Sequence, residues 1–124
     1  MMKRVAEIAP PNSLLLLMDQ ATGEIPDIIG ERLVAATSSC VAVGTLSEQD
    51  GTTRLTLTDE PAPEDDAAPV YDGVIATPAR KLAACTVLLE TIVEIDVPSQ
   101  ATRVRVWANH ATEPDDIRVL VSAP

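Results

Sequence analysis

Phenylalanine is absent from this chain of 124 residues, and tyrosine and tryptophan occur once each. A core built from it must be aliphatic, and there is no aromatic platform on which bases could stack. Basic residues are also scarce: nine Lys and Arg stand against nineteen Asp and Glu, a formal net charge of −10. Phosphate-backbone binding needs cations clustered on one face, so no direct nucleic-acid partner is expected. The five glycines form no phosphate-cradling loop. The single histidine and two cysteines offer no metal-ligand spacing, and no Ser or Cys stands in a nucleophile-elbow context. No catalytic residue, metal or cofactor is therefore expected, and the chain reads as a binding or structural protein more than an enzyme.

Cys40 and Cys85 lie in separate apolar stretches and read as reduced core thiols, because Cys is among the most buried residue types. Long hydrophobic runs are missing too. Leu14 to Met18 is five residues long, too short for a signal-peptide core or a membrane span, so the expected location is cytoplasmic.

What is present is the material of one globular domain, residues 1–124, with 46% hydrophobic and 23% charged residues. Residues 1–12 read as an N-terminal arm or short edge strand. The continuous apolar run LLLLM at 14–18 fits a strand covered on both faces. From Pro26 the spacing of Ile25, Ile29, Leu33 and Ala36 predicts a short helix over 26–36, although Gly30 costs about 1 kcal/mol inside it. Strands are expected at 38–47, 53–59, 70–77, 81–89, 91–97, 103–109 and 117–122. Asp50-Gly51 signals a hairpin between the first two of these. This density of strands and turns predicts an all-β, antiparallel β-sandwich, jelly-roll-like.

A four-residue turn at Pro98 to Ala101 would pair Ile95 with Val104 and Val93 with Val106 on one face. The other face then pairs Asp96 with Arg103, Glu94 with Arg105, and Ile92 with Trp107. Arg103 and Arg105 accordingly read as structural and not as an anion site. His110 closes the 103–109 strand beside Glu113, Asp115 and Asp116. A base with carboxylate support could be drawn from these residues, but a solvated turn is the simpler reading.

The charge is concentrated. DEPAPEDDAAPVYD, residues 59–72, carries six of the nineteen acids and no base; without it thirteen acids face nine bases, a balance of −4. Pro61, Pro63 and Pro69 hold this tract extended and exclude a central strand, so 59–70 reads as an exposed acidic loop. Glu60, Glu64, Asp65, Asp66 and Asp72 are the candidate partner-binding residues, suited to a basic protein.

The order of these features resembles a known family. Leu14 to Asp19, PDIIGERLVAA, TSSCVAVGTL, the acidic insertion, VIATPARKLAACTVL and IDVPSQATRVRVWA follow one another as in the competence protein J family of DNA-entry nuclease inhibitors. Val97-Pro98 and Arg103 to Trp107 match that family's turn and Arg-Val-Arg-like strand. Ser99 and Thr102 depart from its usual glycine and aromatic. The resemblance spans residues 13–122 and implies a compact β-sandwich that inhibits a nuclease by binding it; it carries over no inhibitory residue. The alternative is a sandwich that binds a small ligand or self-associates, with Ile92 and Trp107 closing a homodimer.

Overall fold

The structure is a computed structural model that describes residues 2–27, 32–60 and 68–124. Among the described residues ten strands form two five-stranded sheets. In chain order they are β1 (Lys3–Ile8), β2 (Leu14–Met18), β3 (Val34–Ala36), β4 (Cys40–Gly44), β5 (Thr53–Thr58), β6 (Tyr71–Ala76), β7 (Lys81–Cys85), β8 (Thr91–Asp96), β9 (Ala101–Ala108) and β10 (Asp116–Ser122). The first sheet runs β1-β5-β10-β9-β6 and the second β3-β4-β2-β7-β8. All pairings are antiparallel except β5 with β10, which is parallel. Among the described residues no helix is long and apolar enough to cross a membrane.

Alternation along the strands creates the core. Leu55 and Leu57, Val104 and Val106, and Ile117, Val119 and Val121 point inward from the first sheet and meet Leu15, Leu17, Val41, Val43, Leu82 and Ile95 of the second. The polar residues between them in the first sheet face outward. The second sheet is apolar on its other side as well. Leu16, Met18, Cys40, Ala42, Ala83 and Cys85 form a separate buried cluster there, so the LLLLM strand is covered on both faces as its composition requires. Part of the cover is the segment that leaves β2. Gly23 lies so close that a Cβ there would sit 2.8 Å from the Cβ of Met18. The same segment is tied down by Glu24 N–H to Ser39 Oγ at 2.9 Å and by Thr37 Oγ1 to the Glu24 carbonyl at 2.6 Å.

Several sequence expectations are corrected. A helix over 26–36 does not form: Pro26 and Asp27 are not helical and Val34–Ala36 is strand β3, paired with β4. Residues 28–31 lie outside the described residues. The free edge of β4 offers Val34 to Ala36 a ladder of backbone partners, which outweighs a weak helical periodicity already burdened by glycine.

The turn at Asp50-Gly51 exists, with Gly51 at φ +145°, but β4 and β5 lie in different sheets, so it is no hairpin. Likewise β8 pairs with β7 and β9 with β10 and β6, so the expected 91–97/103–109 register is not formed. The reason is which faces are wet. Strand β4, buried on both sides, fits the second sheet, whereas β5 and β9, apolar on alternate residues only, need a sheet with one solvated face. Ile95 and Val104 do share one core, but across the sandwich. The crossing turn is pinned by Thr77, whose hydroxyl lies 2.8 Å from that of Thr102 and donates to the Ser99 carbonyl at 2.9 Å. Strand β7 also ends four residues short of the expectation, at Cys85. A turn follows in which Leu89 adopts φ 64° and its N–H reaches the Thr86 carbonyl.

Candidate binding surfaces

Of the five acidic residues singled out from the sequence, Glu64, Asp65 and Asp66 lie outside the described residues. Glu60 is exposed just past β5, its N–H donating to Thr58 Oγ1 at 3.0 Å. Asp72 sits on β6. The register Thr58–Leu120–Arg105–Asp72 crosses the first sheet, which separates the two ends of the acidic tract by three strand spacings, about 14 Å. Asp72 is not a free carboxylate. Arg103 on the neighbouring strand donates to both of its oxygens, at 2.9 and 2.7 Å. Those hydrogen bonds hold the Asp72 carboxyl below its usual range and push Arg103 up. Arg103 is structural, as expected, but its partner is Asp72 and not Asp96; on the second sheet Lys81 pairs with Glu94 at 3.8 Å.

His110 is used as a cap. Its Nδ1 accepts the N–H groups of Thr112 and Glu113 at 3.1 and 2.9 Å. Beside it, Asn109 accepts from the Asp115 and Asp116 amides and donates to Asp115 Oδ1 at 2.6 Å. These bonds close the 109–116 loop on itself. Ile92 packs at the margin of the core on the second sheet while Trp107 lies on the outer face of the first, so the two form no shared apolar patch.

Sequence reasoning missed the outer face of the first sheet. Row by row across the strands it presents Glu7–Arg54–Asp116, Val5–Thr56–Arg118–Trp107, Lys3–Thr58–Leu120–Arg105–Asp72 and Ser122–Arg103–Val74. Five of the chain's nine basic residues, Lys3, Arg54, Arg103, Arg105 and Arg118, therefore share one face with only three carboxylates, a local balance of +2 on a chain of −10. Arg118 stacks on the indole of Trp107, its guanidinium carbon 4.8 Å from the ring centroid. Short Thr56, between longer neighbours, leaves an open groove of about 410 Å³ lined by Lys3, Arg54, Thr56, Trp107, Asp116 and Arg118 among others. The alternation in RVRVW, TRLT and DIRV does place these cations outward. Their addition into one patch depends on the strand order β5-β10-β9, in which β10 pairs with β5 across about sixty residues of sequence.

No family model and no curated protein matches the chain. Among solved structures, one described as "Crocagin biosynthetic gene J" is 17% identical, covering 97% of this chain and 98% of that one, with a TM-score of 0.49. ComJ of Bacillus subtilis, inhibitor of the DNA degrading activity of NucA, is 8% identical but superposes over 98% of this chain and 96% of its own with a TM-score of 0.72. The chain has the fold of ComJ from end to end.

Proposed function

We propose that this chain is a non-enzymatic protein-binding module that inhibits a basic partner of the nuclease class through its carboxylates. The observation that carries this reading is the whole-chain fold likeness to ComJ, a nuclease inhibitor. An inhibitor of that kind has to fill a cleft shaped for a polyanion, and a chain of net charge −10 with six carboxylates in residues 59–72 suits such a cleft. The proposed contacts are Glu60, Glu64, Asp65, Asp66 and Asp72. Asp72 can contribute only by exchanging Arg103 for a cation of the partner. The expected setting is the cytoplasm.

The test is DNA degradation in a lysate of the source cells with the purified chain added. Degradation slowed about tenfold or more at low salt, and restored by high salt, is the expected result. The combined variant Glu64→Gln, Asp65→Asn, Asp66→Asn is expected to lose most of the effect. Unchanged degradation at every concentration of the chain rejects inhibition; full inhibition by the neutral variant rejects the acidic mechanism.

A further inference from the structure

We propose that the groove on the outer face of the first sheet is a binding site for a small phosphorylated molecule of mononucleotide size. The argument begins with charge. A chain with more than twice as many acids as bases has assembled five of its nine cations on one sheet face, three of them, Lys3, Arg54 and Arg118, around a single groove. Among the described residues the ion pairs are Lys81 with Glu94 and Arg103 with Asp72. Lys3 and Arg54 thus keep their charge for a ligand, even though Glu7 and Asp116 flank Arg54 in register. Arg105, one row away, adds a buried Nε with no hydrogen-bond partner.

The shape and chemistry narrow the ligand. A volume of about 410 Å³ lies in the range of small-molecule sites. Arginine presents a planar fork matched to phosphate oxygens, lysine adds a mobile point charge, and the Thr56 hydroxyl can donate from the floor. A nucleic-acid strand fits less well. Asp116 itself lines the groove, and a polyanion running on across the sheet would also meet Asp72 on β6, a repulsion that a compact phosphate seated between Lys3 and Arg54 avoids.

Trp107 is the chain's sole tryptophan and lines the groove, so its fluorescence reports binding directly. Four probes are titrated at low salt: inorganic pyrophosphate, a nucleoside 5′-diphosphate, citrate and a short single-stranded oligonucleotide. Saturable binding of pyrophosphate and the nucleoside diphosphate is expected, and Arg54→Gln and Lys3→Gln, both exposed positions, should each weaken it about tenfold. Lys81→Gln, on the other sheet, should leave it unchanged. Equal affinity for the two phosphate probes would mean that phosphate alone is read; tighter binding of the nucleoside would add the base. The proposal is overturned if neither phosphate probe saturates, if citrate binds as tightly as pyrophosphate, if only the oligonucleotide binds, or if Arg54→Gln and Lys3→Gln have no effect. Either result stands apart from nuclease inhibition, which the lysate assay reads separately.

Discussion

Asp19 is the residue whose replacement tests the fold most sharply. It follows directly on β2 and is only 2% exposed, yet it is a carboxylate in an otherwise apolar neighbourhood. Two backbone donors account for it. Oδ1 accepts the Ala21 N–H at 3.1 Å and Oδ2 accepts the Ala79 N–H, sixty residues away, at 2.6 Å. The side chain therefore joins the segment leaving β2 to the turn between β6 and β7. Asp19→Ala removes both acceptors and leaves two amides unpaired. Hydrogen bonds to a charged group contribute about 1.5–3 kcal/mol each, and because the Ala21 amide can recover a water, the total is set near the lower end, about 3 kcal/mol. At roughly 0.26 kcal/mol per kelvin of unfolding entropy for a chain of this length, the melting temperature should fall by about 12 °C. Asp19→Asn keeps one acceptor and should lose about half as much. Chemical denaturation gives the stabilities, and hydrogen exchange at Ala79 shows whether the long-range bond is the one that matters. A loss below about 1 kcal/mol in Asp19→Ala, or unaltered exchange at Ala79, would refute the reasoning.

Two further predictions rest on single contacts. The ring of Tyr71 lies across Gly73, where an added Cβ would come within 2.8 Å of its Cζ and closer still to its hydroxyl. Gly73→Ala should displace the Tyr71 ring and cost less than about 1 kcal/mol, because the clash is with the far end of a side chain that can swing aside; a cost above about 2 kcal/mol that persists in a Tyr71→Ala background would reject this reading. Burial pushes the Cys40 thiol up to about 12 and the Cys85 thiol up to about 11, from 9.0. Both thiols stay protonated in the folded chain while the unfolded chain loses those protons above pH 9. Stability should thus be unaffected by these groups below pH 9 and fall between pH 9 and about 11 to 12, by up to about 1.4 kcal/mol per pH unit for each thiol. Denaturation of the Cys40→Ala, Cys85→Ala double variant across that window checks the sign: a slope equal to that of the parent chain excludes the thiols as its source.

Much of the fold was legible because burial leaves a period-two signature. RVRVW, TRLTLT and IRVLV each show which side faces the core, and the run LLLLM shows a strand covered twice. Strand partners were less legible. Pairing Asp96 with Arg103 satisfies every local rule, yet Arg103 finds Asp72, because a cross-strand ion pair looks the same in sequence whichever strand supplies the acid. The helix expected over 26–36 failed for a related reason: the unpaired backbone of the β4 edge is invisible to periodicity, and Val34 to Ala36 take it. Cys40 and Cys85 were read correctly as buried thiols, and the register explains why they stay free. They sit on the two strands flanking β2, about 9.6 Å apart even before their two-residue offset, beyond the reach of a disulfide.

Alone, the sequence determined that the core is aliphatic, that the architecture is two layers of strands, and that the chain carries a net charge of −10. Each follows from composition and alternation, which act on every residue where it stands. The tertiary structure decided how strands are shared between the sheets and, through that, where the cations collect. Lys3, Arg54, Arg105 and Arg118 belong to four strands that become neighbours only when the sheet closes in the order β1-β5-β10-β9. Charge adds over space and not along the chain, so a positive groove on a negative protein comes into being only with the fold.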